Sequence, residues 1–153
     1  MGKTSMYKAL FAAMVVGGAI VSTGVHAETI KPVKVSKADA AGAIFNRKDA
    51  VKKNEDGHRS TDVVTYTSTD NAYQTGVYQS GPLHEEIKGP QGLPYNEFLY
   101  FLSGGVKLTS SDGSVMVVNT GEAVTLPKGW TGQFDTKGYT KLYVTYDSEE
   151  AKK

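Results

Sequence analysis

A single carboxylate stands at the head of an apolar run and is the first candidate for chemistry. The run NEFLYFLSGG, residues 96–105, places Glu97 before aromatic and aliphatic residues and ends at a glycine pair. A run this short and aromatic is typical of a strand buried on both faces. An ionised carboxylate buried without a partner is very costly, so Glu97 must be hydrogen-bonded, paired, metal-bound, protonated or close to water. Such a group could bind a cationic or hydroxylated ligand, or act as an acid or base.

A histidine and a second glutamate precede this run and could join it. His84 and Glu86, in PLHEEIKG, have the spacing at which strand side chains point the same way. If residues 87–96 are an inserted loop, His84 and Glu86 could face Glu97 and hold one divalent transition metal with it. The alternative is that they are exposed residues of an edge strand.

The elements that must position these residues are short strands, which begin at Asp62. The β-prone runs there are VVTYTST, YQTGVYQSG, EFLYFLSG, GVKLTSS, SVMVVNT, EAVTLP and KLYVTYD. Between the fourth and fifth runs lies Asp112-Gly113, a strong hairpin signal. Many short strands with no helical segment between them predict one all-β domain, an antiparallel sandwich or barrel, over residues 62–147. Residues 148–153 are predicted to be a flexible C-terminal tail.

Residues 28–61 are predicted to form an N-terminal arm, partly helical, that lies against the domain or a partner subunit. Ser36 could cap a short helix at the start of SKADAAGAIFNRKDAVKK, although the apolar stripe of that segment is weak and Gly42 interrupts it. The charged run KKNEDGHRS, residues 52–60, is interpreted as a solvated turn.

The first 27 residues have the pattern of a secretory signal peptide. A basic start is followed by the apolar run ALFAAMVVGGAIV and by small residues at Val25 and Ala27. We therefore expect cleavage before Glu28, a periplasmic or secreted product, and no stable membrane insertion after cleavage. The product would carry 15 basic and 16 acidic residues, a balance that does not favour nucleic-acid binding. The chain has no cysteine, which excludes disulfides and thiol catalysis.

Two glycine-anchored spacings are the most specific signals in the chain. In the first, six residues separate Glu97 from Gly104; in the second, five residues separate Gly121 from Pro127-Lys128-Gly129. Together they resemble the two motifs of the cupin superfamily, a small antiparallel jelly-roll β-barrel. The sequence from Asp62 to Asp147 looks like the branch that includes the cupin domains of (S)-ureidoglycine aminohydrolase and the ethanolamine-utilisation cupins.

The resemblance fails at the metal ligands. Metal-binding cupins have His-x-His shortly before the glutamate of the first motif, and a further histidine three positions after the glycine of the second. Here the first place reads PQGLPYN, the second motif lacks its histidine, and Glu97 is the one matching ligand. Because a transition-metal site needs three or four N, O or S ligands, a standard cupin metal site is not expected.

In the expected barrel, alternation sends Glu97, Leu99 and Phe101 inward, with Glu97 at the rim. Tyr95 and Tyr100 could supply hydroxyl partners to the carboxylate or to a ligand. Trp130 could stack on a ligand at the mouth, or be a packing residue.

These observations leave several functions open. The first is an exported cupin without cofactor that binds a small polar molecule through Glu97, His84, Glu86 and nearby aromatic residues. The alternative is a metal-dependent hydrolase resembling the aminohydrolase members, with His84, Glu86 and Glu97 as ligands. A third is an assembly or sensor module. Cupins of this kind commonly dimerise, so a homodimer is plausible; the sequence leaves open whether any reaction is catalysed.

Overall fold

A computed structural model describes residues 30–152 of the chain. Within that range lie one α-helix, two short 3₁₀ helices and ten strands. The helices are α1 (Lys37–Ala40) and the 3₁₀ turns Ala43–Asn46 and Glu150–Lys152. The strands are β1 (Val51–Glu55), β2 (His58–Thr67), β3 (Tyr73–Ser80), β4 (Leu83–Ile87), β5 (Asn96–Gly104), β6 (Val106–Ser110), β7 (Val115–Val118), β8 (Ala123–Leu126), β9 (Gly132–Thr136) and β10 (Tyr139–Tyr146).

The strands form two antiparallel sheets that face each other. One sheet has six strands in the order β1-β2-β3-β10-β5-β8, and the other has four in the order β4-β9-β6-β7. The predicted Asp112-Gly113 turn joins β6 to β7, and Gly113 has the positive φ of 85° that this turn needs. The prediction of an antiparallel jelly-roll barrel is confirmed. No helix of the described residues is long and apolar enough to span a membrane.

The main core lies between the two sheets. Leu99 and Phe101 of β5, Phe134 of β9 and Leu93 from the loop before β5 are completely buried in it. The inner face of β5 is therefore the one that alternation predicted. Burial of such large apolar side chains is the main stabilising contribution in a domain without disulfides.

A second, smaller core covers the outer face of the six-stranded sheet. The side chain of Ser36 accepts from the backbone N–H of Asp39 and thereby caps α1, as predicted. The 3₁₀ turn that follows buries Ile44 against Val63 and Val77. The helical part of the arm is thus short, and Ile44 is the buried residue of its contact with the sheet, with Val35, Phe45 and Ala50 packed around it.

The interpretation of residues 52–60 as a solvated turn is wrong. They form most of β1 and the start of β2, joined by the two-residue turn Asp56-Gly57. Both turn residues have positive φ, 51° and 83°, which is the hairpin geometry that Asp-Gly favours. The predicted domain boundary at residue 62 falls inside β2, and β1 is an edge strand of the sheet. The predicted signal peptide lies outside the described residues.

Candidate functional site

An ion pair lies inside the barrel. Lys141 projects inward from β10, the strand between β3 and β5, and its Nζ is 2.8 Å from Oε1 of Glu97. Each side chain is only 1% exposed. Two charges taken out of water in this way must stabilise each other, because either one alone would carry a large desolvation cost. The ion pair with Lys141 is therefore what allows the carboxylate of Glu97 to be buried.

Three tyrosine rings surround the ammonium group of Lys141. Its Nζ lies 5.4 Å from the ring centroid of Tyr78, 5.6 Å from that of Tyr139 and 5.9 Å from that of Tyr143. Each distance is within the range at which a cation is attracted to an aromatic face. The rings therefore replace part of the hydration that burial removes from the ammonium.

The two carboxylate oxygens of Glu97 differ in their hydrogen bonding. Its Oε1 accepts from Lys141, whereas its Oε2 is buried and accepts no hydrogen bond from the described residues. Burial raises the pKa of Glu97, and the attraction and hydrogen bond of Lys141 oppose that rise. A buried oxygen without a donor is the kind of group that a bound water or ligand satisfies.

A second carboxylate lies in the same interior. Asp62 of β2 is 8% exposed and accepts a hydrogen bond of 3.0 Å from the hydroxyl of Tyr143. Burial raises the pKa of Asp62 to about 6, although the hydrogen bond from Tyr143 and the charge of Lys141 oppose the change. Burial also raises the pKa of Tyr78 to about 12. Asp62 therefore changes charge closer to neutral pH than an ordinary aspartate does.

Gly76 makes room for this hydrogen bond. A Cβ atom at Gly76 would lie within 2.3 Å of the Tyr143 hydroxyl oxygen, so any side chain there would displace the ring. The two residues are paired across β3 and β10. Because Gly76 has no side chain, the ring of Tyr143 can extend over β3, and its hydroxyl reaches Asp62 on β2.

Glu97 points inward as predicted but is more deeply buried than a rim position implies. The loop of residues 88–95 inserts Leu93 into the core, and its backbone bonds to the loop after β8. The Leu93 N–H donates to the carbonyl of Trp130 over 2.9 Å, and the Gly129 N–H donates to that of Leu93 over 2.7 Å. The two loops together cover this end of the core.

His84 and Glu86 are not brought together with Glu97. They share one face of β4, as predicted, but it is the outer face; Leu83, Glu85 and Ile87 alternate with them on the inner one. His84 is hydrogen-bonded to Asp135, and Glu86 forms an exposed ion pair of 2.7 Å with Lys88.

The alternative in which His84, Glu86 and Glu97 bind a metal together is therefore wrong, because the register of β4 points His84 and Glu86 away from the barrel interior. Residues 30–152 contain no group of three His, Cys, Asp or Glu side chains placed to hold a metal ion.

The aromatic candidates divide between the inner and the outer surface. Tyr95 is buried, and the charge of Glu97 contributes to the rise of its pKa, after burial itself. Tyr100 is 37% exposed on the outer face of the sheet, so its hydroxyl cannot donate a hydrogen bond to the inward-pointing Glu97. Trp130 packs against the main core and donates its indole N–H to the Ser110 hydroxyl over 3.1 Å. It lies at the covered end of the barrel as a packing residue.

Sequence reasoning missed Lys141, Asp62 and the tyrosines near them. The signal was present in YTKLYVTY, where Tyr139, Lys141 and Tyr143 alternate on one face. Apolar residues occupy both faces of this strand, so alternation alone does not reveal which face is inside.

Comparison with known proteins agrees with this architecture. A family model described as a EutQ-like cupin domain matches residues 88–143. No curated protein matches the sequence.

Solved structures share the fold at low sequence identity. One is a protein of unknown function from Pseudomonas syringae of the DUF861 family, at 21% identity and a TM-score of 0.55, covering 63% of this chain and 43% of that one. A protein of unknown function from Rhizobium leguminosarum has 20% identity and a TM-score of 0.53, covering 77% and 99%. A cupin 2 conserved barrel domain protein from Salinispora arenicola has 15% identity and a TM-score of 0.50, covering 80% and 95%.

The chain thus spans less than half the length of the Pseudomonas protein, and these likenesses concern the fold alone. Residues 88–143 therefore match a EutQ-like cupin domain, and the fold of the described residues is that of a cupin barrel.

Proposed function

We propose that the protein is an exported cupin that binds a small polar molecule inside its barrel, with Glu97 as the polar anchor. The observation that carries the proposal is the buried Oε2 of Glu97, which has no donor among the described residues. Leaving such an acceptor unsatisfied costs about 1–3 kcal/mol, and more for a charged group. A ligand that donates to it recovers that free energy on binding.

The surroundings of Glu97 define the class of ligand. Its open oxygen requires an N–H or O–H donor, while Lys141 already balances its charge. The rings of Tyr78 and Tyr143, whose faces lie toward Lys141, add apolar surface near the ion pair. A small neutral molecule with an amide or hydroxyl donor fits better than an anion, which Glu97 would repel. Because the pair is 1% exposed, a ligand can reach it only if the segments that cover this end of the barrel move.

A thermal-shift screen with small amides, polyols, amines and carboxylic acids tests this proposal. We expect amides or polyols to raise the melting temperature, and calorimetry of each hit to show weaker binding to Glu97→Gln. The expected loss is about 1.5–3 kcal/mol, the usual contribution of a hydrogen bond to a charged group. The matched control is Glu86→Gln, which changes an exposed carboxylate on the outer face of β4. Hits that bind wild type and Glu97→Gln equally would contradict the proposal.

Export is the second part of the proposal and is supported by the signal-peptide pattern of the first 27 residues. The mature protein would begin at Glu28 and reside in the periplasm or outside the cell. Intact-mass measurement of the protein recovered from those fractions tests this. A soluble product with the mass of residues 1–153 would contradict it.

An enzymatic role is the alternative, and one observation favours it. Asp62 has a pKa of about 6 and a hydrogen bond to Tyr143, which suits a general base near neutral pH. Each hit of the screen should therefore be incubated with protein and followed by mass spectrometry. Conversion that disappears in Asp62→Asn would support catalysis; binding without conversion would leave the protein a binding module.

A further inference from the structure

A cleft of about 370 Å³ lies at one end of the six-stranded sheet, apart from the Glu97–Lys141 pair. It is formed where β2, β3, β10 and β5 end or turn. The residues that line it are mostly hydroxyl-bearing, amide-bearing or glycine: Arg59, Ser60, Thr61, Gln79, Ser80, Gly81, Ser103, Gly138, Tyr139 and Thr140. Such a lining is rich in hydrogen-bond donors.

The register of the sheet assembles the polar row of this cleft. Thr61 is paired with Gln79, Gln79 with Thr140, and Thr140 with Ser103. Directly paired residues project to the same face, so four polar side chains from four strands lie side by side. None of the four makes a side-chain hydrogen bond to the described part of the chain. Their donors are therefore available to a ligand.

The cleft carries one positive charge and no negative one. Arg59 is the charged residue in its lining, which contains neither Asp nor Glu. No described carboxylate forms an ion pair with Arg59. The other arginine of the chain, Arg47, is held in an ion pair with Asp49. A guanidinium without a carboxylate partner, beside neutral donors, is suited to bind an oxyanion.

We propose that this cleft binds a small tetrahedral oxyanion, such as inorganic phosphate or the phosphate group of a small metabolite. Arg59 would pair with two of its oxygens, and the side chains of Thr61, Gln79 and Thr140 would donate to the others. The site is separate from the interior pair, because the row formed by Thr61, Gln79 and Thr140 is on the outer face of the sheet, whereas Glu97 points inward.

Calorimetric titration of the full chain with inorganic phosphate tests this proposal. We expect saturable binding of one phosphate, with Arg59→Gln weakening it about tenfold or more. Thr140→Val removes one hydroxyl while keeping a β-branched residue, and should weaken binding by about fivefold. The matched control is Arg47→Gln, with the same change of charge and an expected effect below about twofold.

Sulfate and acetate form the second arm of the experiment. A tetrahedral oxyanion site should bind sulfate comparably to phosphate and acetate more weakly, whereas a carboxylate site would show the opposite order. Thermal unfolding of each variant, including that at the buried Thr140, confirms that the substitutions leave the fold intact. Lack of saturable binding, a preference for acetate, or equal effects of Arg59→Gln and Arg47→Gln would overturn the proposal.

Discussion

The ion pair between Lys141 and Glu97 should show a large coupling in a double-mutant cycle. Its two atoms are 2.8 Å apart, and both side chains are 1% exposed. Replacing either residue with Met leaves the other charge buried without its partner. We therefore expect Lys141→Met and Glu97→Met each to lower the free energy of unfolding by about 3–5 kcal/mol. That is a large part of the about 5–15 kcal/mol that stabilises a typical domain.

The double variant should recover most of this loss. Two Met side chains fill a similar volume and leave no charge to desolvate, so its stability should lie within about 1 kcal/mol of wild type or above it. Urea unfolding at neutral pH, monitored by tyrosine and tryptophan fluorescence, gives the four free energies of the cycle. The predicted coupling energy is several kcal/mol.

A matched cycle on the surface gives the control. Lys88 and Glu86 are 2.7 Å apart, nearly the same separation, but 69% and 42% exposed. Lys88→Met and Glu86→Met should couple by less than about 1 kcal/mol, because water screens both charges. Additive effects in the interior cycle, or equal coupling in the two cycles, would refute the assignment of Lys141 as the partner that makes a buried Glu97 tolerable.

Three further predictions concern positions around this interior. Folding raises the pKa of Asp62 from 3.8 to about 6, so its stabilising contribution is present below pH 3.8 and is lost as pH rises through 6. Urea titrations from pH 4 to pH 7 should therefore show wild type losing up to about 3 kcal/mol more than Asp62→Asn; parallel profiles would contradict this. Gly76→Ala should cost about 1–3 kcal/mol by urea unfolding, since the new methyl displaces Tyr143, and a crystal structure with that ring unmoved would refute the reason. Ile44→Ala should lower stability by about 2–5 kcal/mol because Ile44 is 2% exposed against Val63, whereas an unchanged urea midpoint would mean that the N-terminal segment does not stabilise the sheet.

The sheets and the inward position of Glu97 could be predicted from local sequence. Leu99 and Phe101 are buried on the same face as Glu97, as strand alternation requires. The turn at Asp112-Gly113 was recognised because aliphatic runs flank it. Its counterpart at Asp56-Gly57 was missed because charged residues flank that turn, although both of its residues have the positive φ of a two-residue hairpin turn.

The composition of the interior site could not be predicted in the same way. The sequence left the face of β4 open: Leu83 and Ile87, four residues apart, both lie with Glu85 on the inner side, so the alternative of an exposed edge strand is the correct one for His84 and Glu86. Lys141 was missed for a different reason: a lysine within a strand usually lies in solvent, and its partner is 44 residues away in sequence. Such a pairing depends on tertiary arrangement, which local periodicity does not contain.

The central position of β10 has a consequence for the order of folding. This strand is the last of the ten in sequence, yet it pairs with both β3 and β5 in the middle of the larger sheet. Until it has been synthesised, β3 and β5 would present unpaired edges, and Glu97 would lack Lys141. Closing contacts over such long sequence separations is slow. The larger sheet therefore cannot be completed before β10 has been synthesised, and truncation before residue 139 would leave the edges of β3 and β5 open to aggregation.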